Sequence, residues 1–203
     1  MSIAYETIER RATSSSTPRT RHRFSLQDYE QMIEFRILEE SDRVELIRGE
    51  IVDKMTISEP HATCVKKLNH LFSGMLAGRA VVGIQDPVVV VESRPEPDVS
   101  LLIPRDDFYL GSTPCVDDVL LLIEVADSSL EYDRTEKLSL YAEAGVCEYW
   151  IANVKQQCVE VYRNPQSNGT YANERVFKTG EILSIEKLPG IAVAVDQVFK
   201  PKN

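Results

Sequence analysis

Val119-Leu120-Leu121-Leu122-Ile123-Glu124-Val125 is an apolar run broken by one acid near its end. A helical pattern follows over residues 132–144, and a second apolar run over residues 147–152. Strand, helix and strand in that order make a crossover unit, which predicts an α/β fold: a mixed central β-sheet flanked by helices, with extra β-hairpins. A strand of this composition is buried on both faces, so Glu124 sits where an ionised carboxylate costs several kcal/mol, on the order given for buried charges, unless a cation compensates. Upstream, Pro97-Asp98 opens another apolar run, Val99-Ser100-Leu101-Leu102-Ile103. Downstream, Lys137 lies in the helical pattern. Two acids on successive strands and a lysine on the next helix are the minimum set for a metal-dependent phosphodiesterase.

The remaining elements fall around this centre. Ser25, with Asp28 three positions later, predicts a capped helix over residues 25–38. Residues 44–47 and 51–55 alternate as two strands joined tightly through Arg48-Gly49-Glu50. Ser58 before Glu59-Pro60 starts a second helix, with Val65, Leu68, Leu71, Phe72, Met75 and Leu76 at helical spacing. Further strands are predicted at 80–85, 88–91, 159–162 and 171–177, and a last ordered piece after Pro189-Gly190. In the 132–144 helix, Arg134, Leu138, Tyr141 and Ala142 mark the side toward the sheet and Gly145 ends it. Lys137 lies on the border of that side, and Asp133 one turn earlier is spaced for a surface ion pair with it. Residues 1–24 lack apolar periodicity and contain Thr13-Ser14-Ser15-Ser16-Thr17-Pro18, so they read as a mobile arm before a single domain over 25–203.

Composition narrows the classes. The 203 residues, 43% hydrophobic and 27% charged, suit one ordinary globular domain. No apolar run approaches the roughly 18 residues that span a bilayer, and the N-terminus lacks a secretory pattern, so no membrane association and a cytoplasmic location are expected. Cys64, Cys115, Cys147 and Cys158 form no C-x-x-C pair and read as free structural thiols. A net charge of −9 weighs against indiscriminate nucleic-acid binding, since that affinity comes from neutralising phosphates. Arg19, Arg21 and Arg23, and Lys66-Lys67, are local basic clusters whose plainest reading is a solvated face.

Mg2+ favours one or two carboxylates together with waters and substrate phosphates. Asp98 and Glu124 meet that need if their strands are neighbours, with the backbone carbonyl of Val125 as a further oxygen. A lysine leaning in from the helix would orient the attacking water and oppose charge on the transition-state phosphate.

The sequence Glu96-Pro97-Asp98-Val99, then Ile123-Glu124-Val125-Ala126-Asp127-Ser128-Ser129, then Tyr132-Asp133 with Lys137, Tyr141, Gly145 and Glu148-Tyr149-Trp150, resembles the Uma-two family of restriction-endonuclease-like proteins in the PD-(D/E)XK superfamily. The likeness extends through residues 42–52, Pro60-His61, Val161-Tyr162 and Leu188-Pro189-Gly190. It implies a restriction-endonuclease-like core, a Mg2+-dependent attack on DNA with Mn2+ as a possible substitute, and the roles of first and second acid for Asp98 and Glu124. One departure matters: the superfamily's lysine stands two places after the second acid, where this chain has Ala126, and the resemblance places it instead at Lys137. His61, in the first turn of its helix, is a candidate phosphate contact or proton shuttle, with a simple surface histidine an equal alternative. Glu45, and after it Glu50, are candidates for a second metal, against the plainer reading of outward strand residues. Gln85 and Tyr132 are candidates for the cleft wall. A homodimer through the 159–177 hairpin, using Tyr162, Tyr171 and Phe177, would suit cutting of two strands. A catalytically inactive nucleic-acid- or partner-binding module of the same fold, or a structural subunit, stands as the alternative.

Overall fold

Ser25 caps the first helix as its spacing predicts. Its hydroxyl accepts from the Asp28 N–H at 3.1 Å while the Asp28 carboxylate accepts from the Ser25 N–H at 2.9 Å, and α1 runs over Leu26–Glu34. The helix stops short of residue 38 because Arg36 turns left-handed, φ 56°. The computed structural model describes residues 21–199, so the expected N-terminal arm lies outside the described residues up to residue 20. Phe24, at its end, donates its N–H to Gly49 O at 2.9 Å.

Strands β1, Val44–Ile47, and β2, Glu50–Asp53, pair as an antiparallel hairpin. Its two-residue loop has φ of 50° at Arg48 and 78° at Gly49, the left-handed pair that matches strand twist. A side chain at Gly49 would also put a Cβ 2.8 Å from Arg23 Cβ. Helix α2, Glu59–Met75, is capped by Ser58 and carries Pro60 in its first turn, where the missing N–H costs nothing.

The central sheet has six strands in chain order: β3, Val81–Gly83; β4, Val99–Leu102; β5, Val119–Ala126; β6, Glu148–Asn153; β7, Cys158–Gln166; and β8, Thr170–Phe177. Every neighbouring pair is antiparallel except β5 and β6, which are parallel and joined by the helical crossover. That crossover is not one regular helix. It comprises α3, Leu130–Tyr132, a π turn over Asp133–Lys137, and α4, Leu138–Ala144, which ends at Gly145 with φ 87°. A short ribbon of β9, Ile182–Ser184, and β10, Ala192–Ala194, and helix α5, Val195–Phe199, complete the chain. Residues 88–91, expected as a strand, make only isolated bridges to Cys115 and Ser93, because Val91 reverses the chain at φ 53°.

Two apolar layers cover the sheet. On one face Leu68 and Phe72 of α2 and Val198 of α5 pack on Leu121, Ile123 and Trp150. On the other, Leu140 and Tyr141 of α4 pack on Leu122, Tyr149 and Ile151. Each large buried side chain contributes roughly 1.5–3 kcal/mol. Strand alternation turns Leu122, Glu124 and Ala126 toward the α4 layer, so the fold itself aims Glu124 at the helix bearing Lys137.

The aromatic residues proposed as a dimer patch do not form one. Tyr162 stacks on Tyr149 with centroids 5.9 Å apart, Tyr171 donates its hydroxyl to Val146 O at 2.9 Å, and Phe177 is buried in the α2-side layer. No described helix is long and apolar enough to cross a membrane, and all four cysteines are free.

Candidate active site

In the antiparallel register of β4 and β5, Val99 pairs with Ile123; the next step outward sets Asp98 opposite Glu124. The backbone stitches them together: the Val125 N–H donates to Asp98 Oδ2 at 2.8 Å, and the Asp98 N–H reaches Glu124 Oε2 at 3.4 Å. Asp98 also takes Gln85 Nε2 on Oδ1 at 3.0 Å and lies 3.0 Å from His61 Nε2 through Oδ2. His61 is thereby a half-buried partner of the acid and not a surface histidine.

Lys137 comes in from the opposite side. Asp133 and Lys137, at the two ends of the π turn, both lie on the buried side of the crossover. The surface ion pair expected between them is not formed: Asp133 accepts from Ser129 Oγ at 2.6 Å, while Lys137 Nζ donates to Glu45 Oε2 at 2.7 Å and lies 3.5 Å from Glu124 Oε1. Glu45, whose plainer reading was an outward residue, points inward and is buried. The hairpin is pulled over the crossover by Arg48, whose guanidinium binds Glu136 and Glu143, both at 2.7 Å, so β1 has cover on both faces. The Glu96 N–H completes the Glu45 carboxylate at 3.0 Å, and Tyr141 donates its hydroxyl to Glu124 Oε1 at 2.7 Å. Tyr141 was legible only as a sheet-facing aromatic; its i+4 spacing from Lys137 is the signal that ties it to the site. Glu50 lies elsewhere, beside Arg21 and Arg23 on the outer hairpin.

Asp98, Glu124, Lys137, His61, Glu45, Gln85 and Tyr132 all line one cavity of about 550 Å³. Val125 is buried beneath it and contributes its N–H to Asp98. Two polar atoms among these residues, His61 Nδ1 and the Tyr132 hydroxyl, are buried without a hydrogen-bond partner, a condition that buried polar groups rarely keep unless a ligand or water answers it.

Burial pushes the Glu124 carboxyl up; the Lys137 ammonium pulls it back and the Asp98 charge pushes it up again, to about 8. Burial likewise lifts Asp133 to about 6 against the Ser129 hydrogen bond and Lys137. For Lys137, burial disfavours the ammonium, yet the Glu124 and Glu45 carboxylates outweigh it and the pKa ends above the usual lysine value. Burial also opposes the imidazolium of His61, and the Asp98 hydrogen bond and charge reverse the balance upward. No described group of three or more His, Cys, Asp or Glu side chains is arranged to hold a metal ion. The donors that do converge, two carboxylates, suit a hard ion that keeps water and takes substrate oxygens for the rest of its shell.

A stability prediction follows from Glu124. Its carboxyl, near 4.5 when unfolded and about 8 when folded, stabilises the fold fully below pH 4.5, and that contribution is lost as pH rises to 8. In chelator, thermal denaturation is expected to show a melting temperature falling from pH 6 to pH 8. The loss is on the order of a few kcal/mol. Glu124→Gln should flatten that fall; the same slope in the variant would contradict the assignment.

A helix-covered mixed sheet with a carboxylate pair at the end of its central strands defines an α/β protein of nuclease-like fold. The same fold is found in a crystal structure described as a putative nuclease belonging to DUF820, from Anabaena variabilis ATCC 29413, with a TM-score of 0.68 and 16% identity over 87% of this chain and 97% of that one. The Uma2 family, described as putative restriction endonuclease, matches residues 26–196, and the chain belongs to it. No curated protein matches the chain.

Proposed function

We propose that this protein is a metal-dependent endonuclease that hydrolyses phosphodiester bonds of DNA at the Asp98–Glu124 pair. The supporting observation is the convergence, in one cavity, of two carboxylates from adjacent strands with a lysine buried between Glu124 and Glu45. Family membership and the fold shared with a protein described as a putative nuclease agree with it.

Asp98 and Glu124 would hold a divalent ion, Mg2+ or in its place Mn2+, with the Val125 carbonyl as a further oxygen. When bound, such an ion neutralises phosphate charge and acidifies a water. The chain's own groups then have distinct tasks. Lys137 stays protonated at neutral pH, so it donates to a developing oxyanion and does not abstract a proton. Glu45, committed to Lys137 at 2.7 Å, fixes the ammonium and does not serve a second ion. Tyr141 and the Asp98 N–H orient the two oxygens of Glu124. His61 and Gln85 orient Asp98, each at 3.0 Å. The lysine on a helix thus reaches the second acid that a lysine two places along the strand would otherwise face.

The test is incubation of the full chain with supercoiled plasmid in Mg2+, in Mn2+ and in chelator. Nicked or linear product with either ion and none in chelator is the expected result. Intact plasmid in all three, with DNA affinity unchanged in Asp98→Asn, would favour the binding-module alternative.

A further inference from the structure

A second cavity, of about 320 Å³, lies beside the first, and Arg43, Lys54 and Gln85 line both. The two therefore form one groove that leaves the acid pair beside Gln85, passes the open end of the β1–β2 hairpin and continues to Arg94 on the α1 side. Its cations differ in availability. Lys54 is held by Glu96, while among the described residues no carboxylate lies within ion-pair distance of Arg43 or Arg94. Arg94 also interacts with the Tyr29 hydroxyl. Among the described residues, the Arg43 guanidinium donates one hydrogen bond, to Met55 O at a long 3.4 Å. Its backbone is fixed: Arg43 stands at φ 51° and its carbonyl accepts from the Lys54 N–H at 2.9 Å, the last rung of the hairpin. The side chain is exposed on a rigid base at the junction of the cavities.

The other side of the groove's first chamber is apolar and exposed, with Met55 and Ile57 projecting from the linker before α2. Asp53 and Glu131 face the first chamber, and Glu39, Asp86 and Glu96 the second. With no described carboxylate paired to it, the Arg43 guanidinium is open to an anion, on a chain whose net charge of −9 gives no general basic surface.

Resting on the nuclease reading above, we propose that this groove is the path of the nucleic-acid strand, with Arg43 gripping a phosphate flanking the scissile one and Met55 and Ile57 contacting the adjoining sugar and base. Arg43 is then a substrate-binding residue outside the acid–lysine centre. A guanidinium that grips one phosphate releases about one counterion on binding, so its loss reduces the salt dependence of affinity by about one unit in slope.

The test is fluorescence anisotropy with a labelled single-stranded oligonucleotide and its duplex, at several salt concentrations, in an Asp98→Asn background that cannot cut. Arg43→Gln is expected to weaken binding about tenfold and to lower the salt slope by about one, and Arg43→Lys to recover most of the affinity. Arg175→Gln, on β8 at the opposite edge of the sheet, should change neither. In the cutting-competent chain, Arg43→Gln should raise KM and leave kcat in place. Wild-type cleavage together with unchanged affinity, slope and KM in Arg43→Gln overturns the groove and leaves the nuclease reading standing. A wild-type chain that neither binds nor cuts overturns both.

Discussion

Asp98→Asn and Glu124→Gln are each expected to lower plasmid cleavage by at least about 10²–10³-fold, the scale at which one preorganised electrostatic contact is lost from a reaction centre. Both substitutions keep the shape of the side chain, and neither leaves a new cavity. Glu124→Gln keeps an acceptor for Tyr141, which donates at 2.7 Å, and removes the buried group that ionises as pH rises, so the variant should be at least as stable as the parent in chelator at pH 8. Lys137 behaves differently. At 4% exposure, it pairs with the buried Glu45 carboxylate at 2.7 Å and lies 3.5 Å from Glu124. Lys137→Ala should therefore abolish cleavage and also destabilise the fold by about 3–5 kcal/mol, the cost of stranding a buried charge. A pairing of Lys137→Ala with Glu45→Gln separates the effects: it should restore part of the stability and none of the activity. Retained cleavage in any of the three single variants, with folding verified by circular dichroism, would remove that residue from the site.

The second large effect is purely structural. Glu148 is 0% exposed and its carboxylate holds four donors: Arg163 Nε at 2.9 Å and Nη2 at 2.7 Å, Trp150 Nε1 at 2.8 Å, and the Glu186 N–H at 2.7 Å. This cluster ties β6 and β7 to the segment after β9. Arg163→Ala removes the cation paired with Glu148, which has no other among the described residues, and is expected to cost about 3–5 kcal/mol. At roughly 2–4 °C per kcal/mol for a domain of this size, the melting temperature should drop by about 6–20 °C. Adding Glu148→Gln should return part of the loss, because the stranded charge is then gone. A shift below about 2 °C in Arg163→Ala would show that Trp150 and the Glu186 amide suffice to hold the carboxylate.

Much of this architecture was legible because local chemistry and global fold agree. The Ser25 and Ser58 caps, the Arg48-Gly49 turn and the apolar run of β5 each specify their element, and the order strand–helix–strand requires the parallel β5–β6 pair. Asp98 and Glu124 stood out for the same reason, as acids where apolar strands leave no room for them. The parts that were missed depend on distant contacts. Nothing local marks Glu45 as buried, because its partner is 92 residues away in Lys137. The i, i+4 spacing of Asp133 and Lys137 puts both on one helix face and reads as a surface pair, and only the packing of the distant β1–β2 hairpin and of the sheet makes that face the buried one. Residues 88–91 have strand composition, yet the reversal at Val91 leaves them no extended partner. The aromatics of the 159–177 hairpin looked like an exposed patch because their cover, Tyr149 and the α2-side layer, comes from elsewhere in the chain.

The central claim, a metal-dependent centre at Asp98 and Glu124, is tested most directly by calorimetric titration of Mg2+ and Mn2+ into wild type, Asp98→Asn and Glu124→Gln, with plasmid cleavage run on the same samples. Binding of either ion to wild type, its loss in both variants, and cleavage that tracks binding are the predicted result. Wild-type protein that takes up neither ion, with or without DNA, would contradict the catalytic account and leave a protein of this fold that works by binding alone.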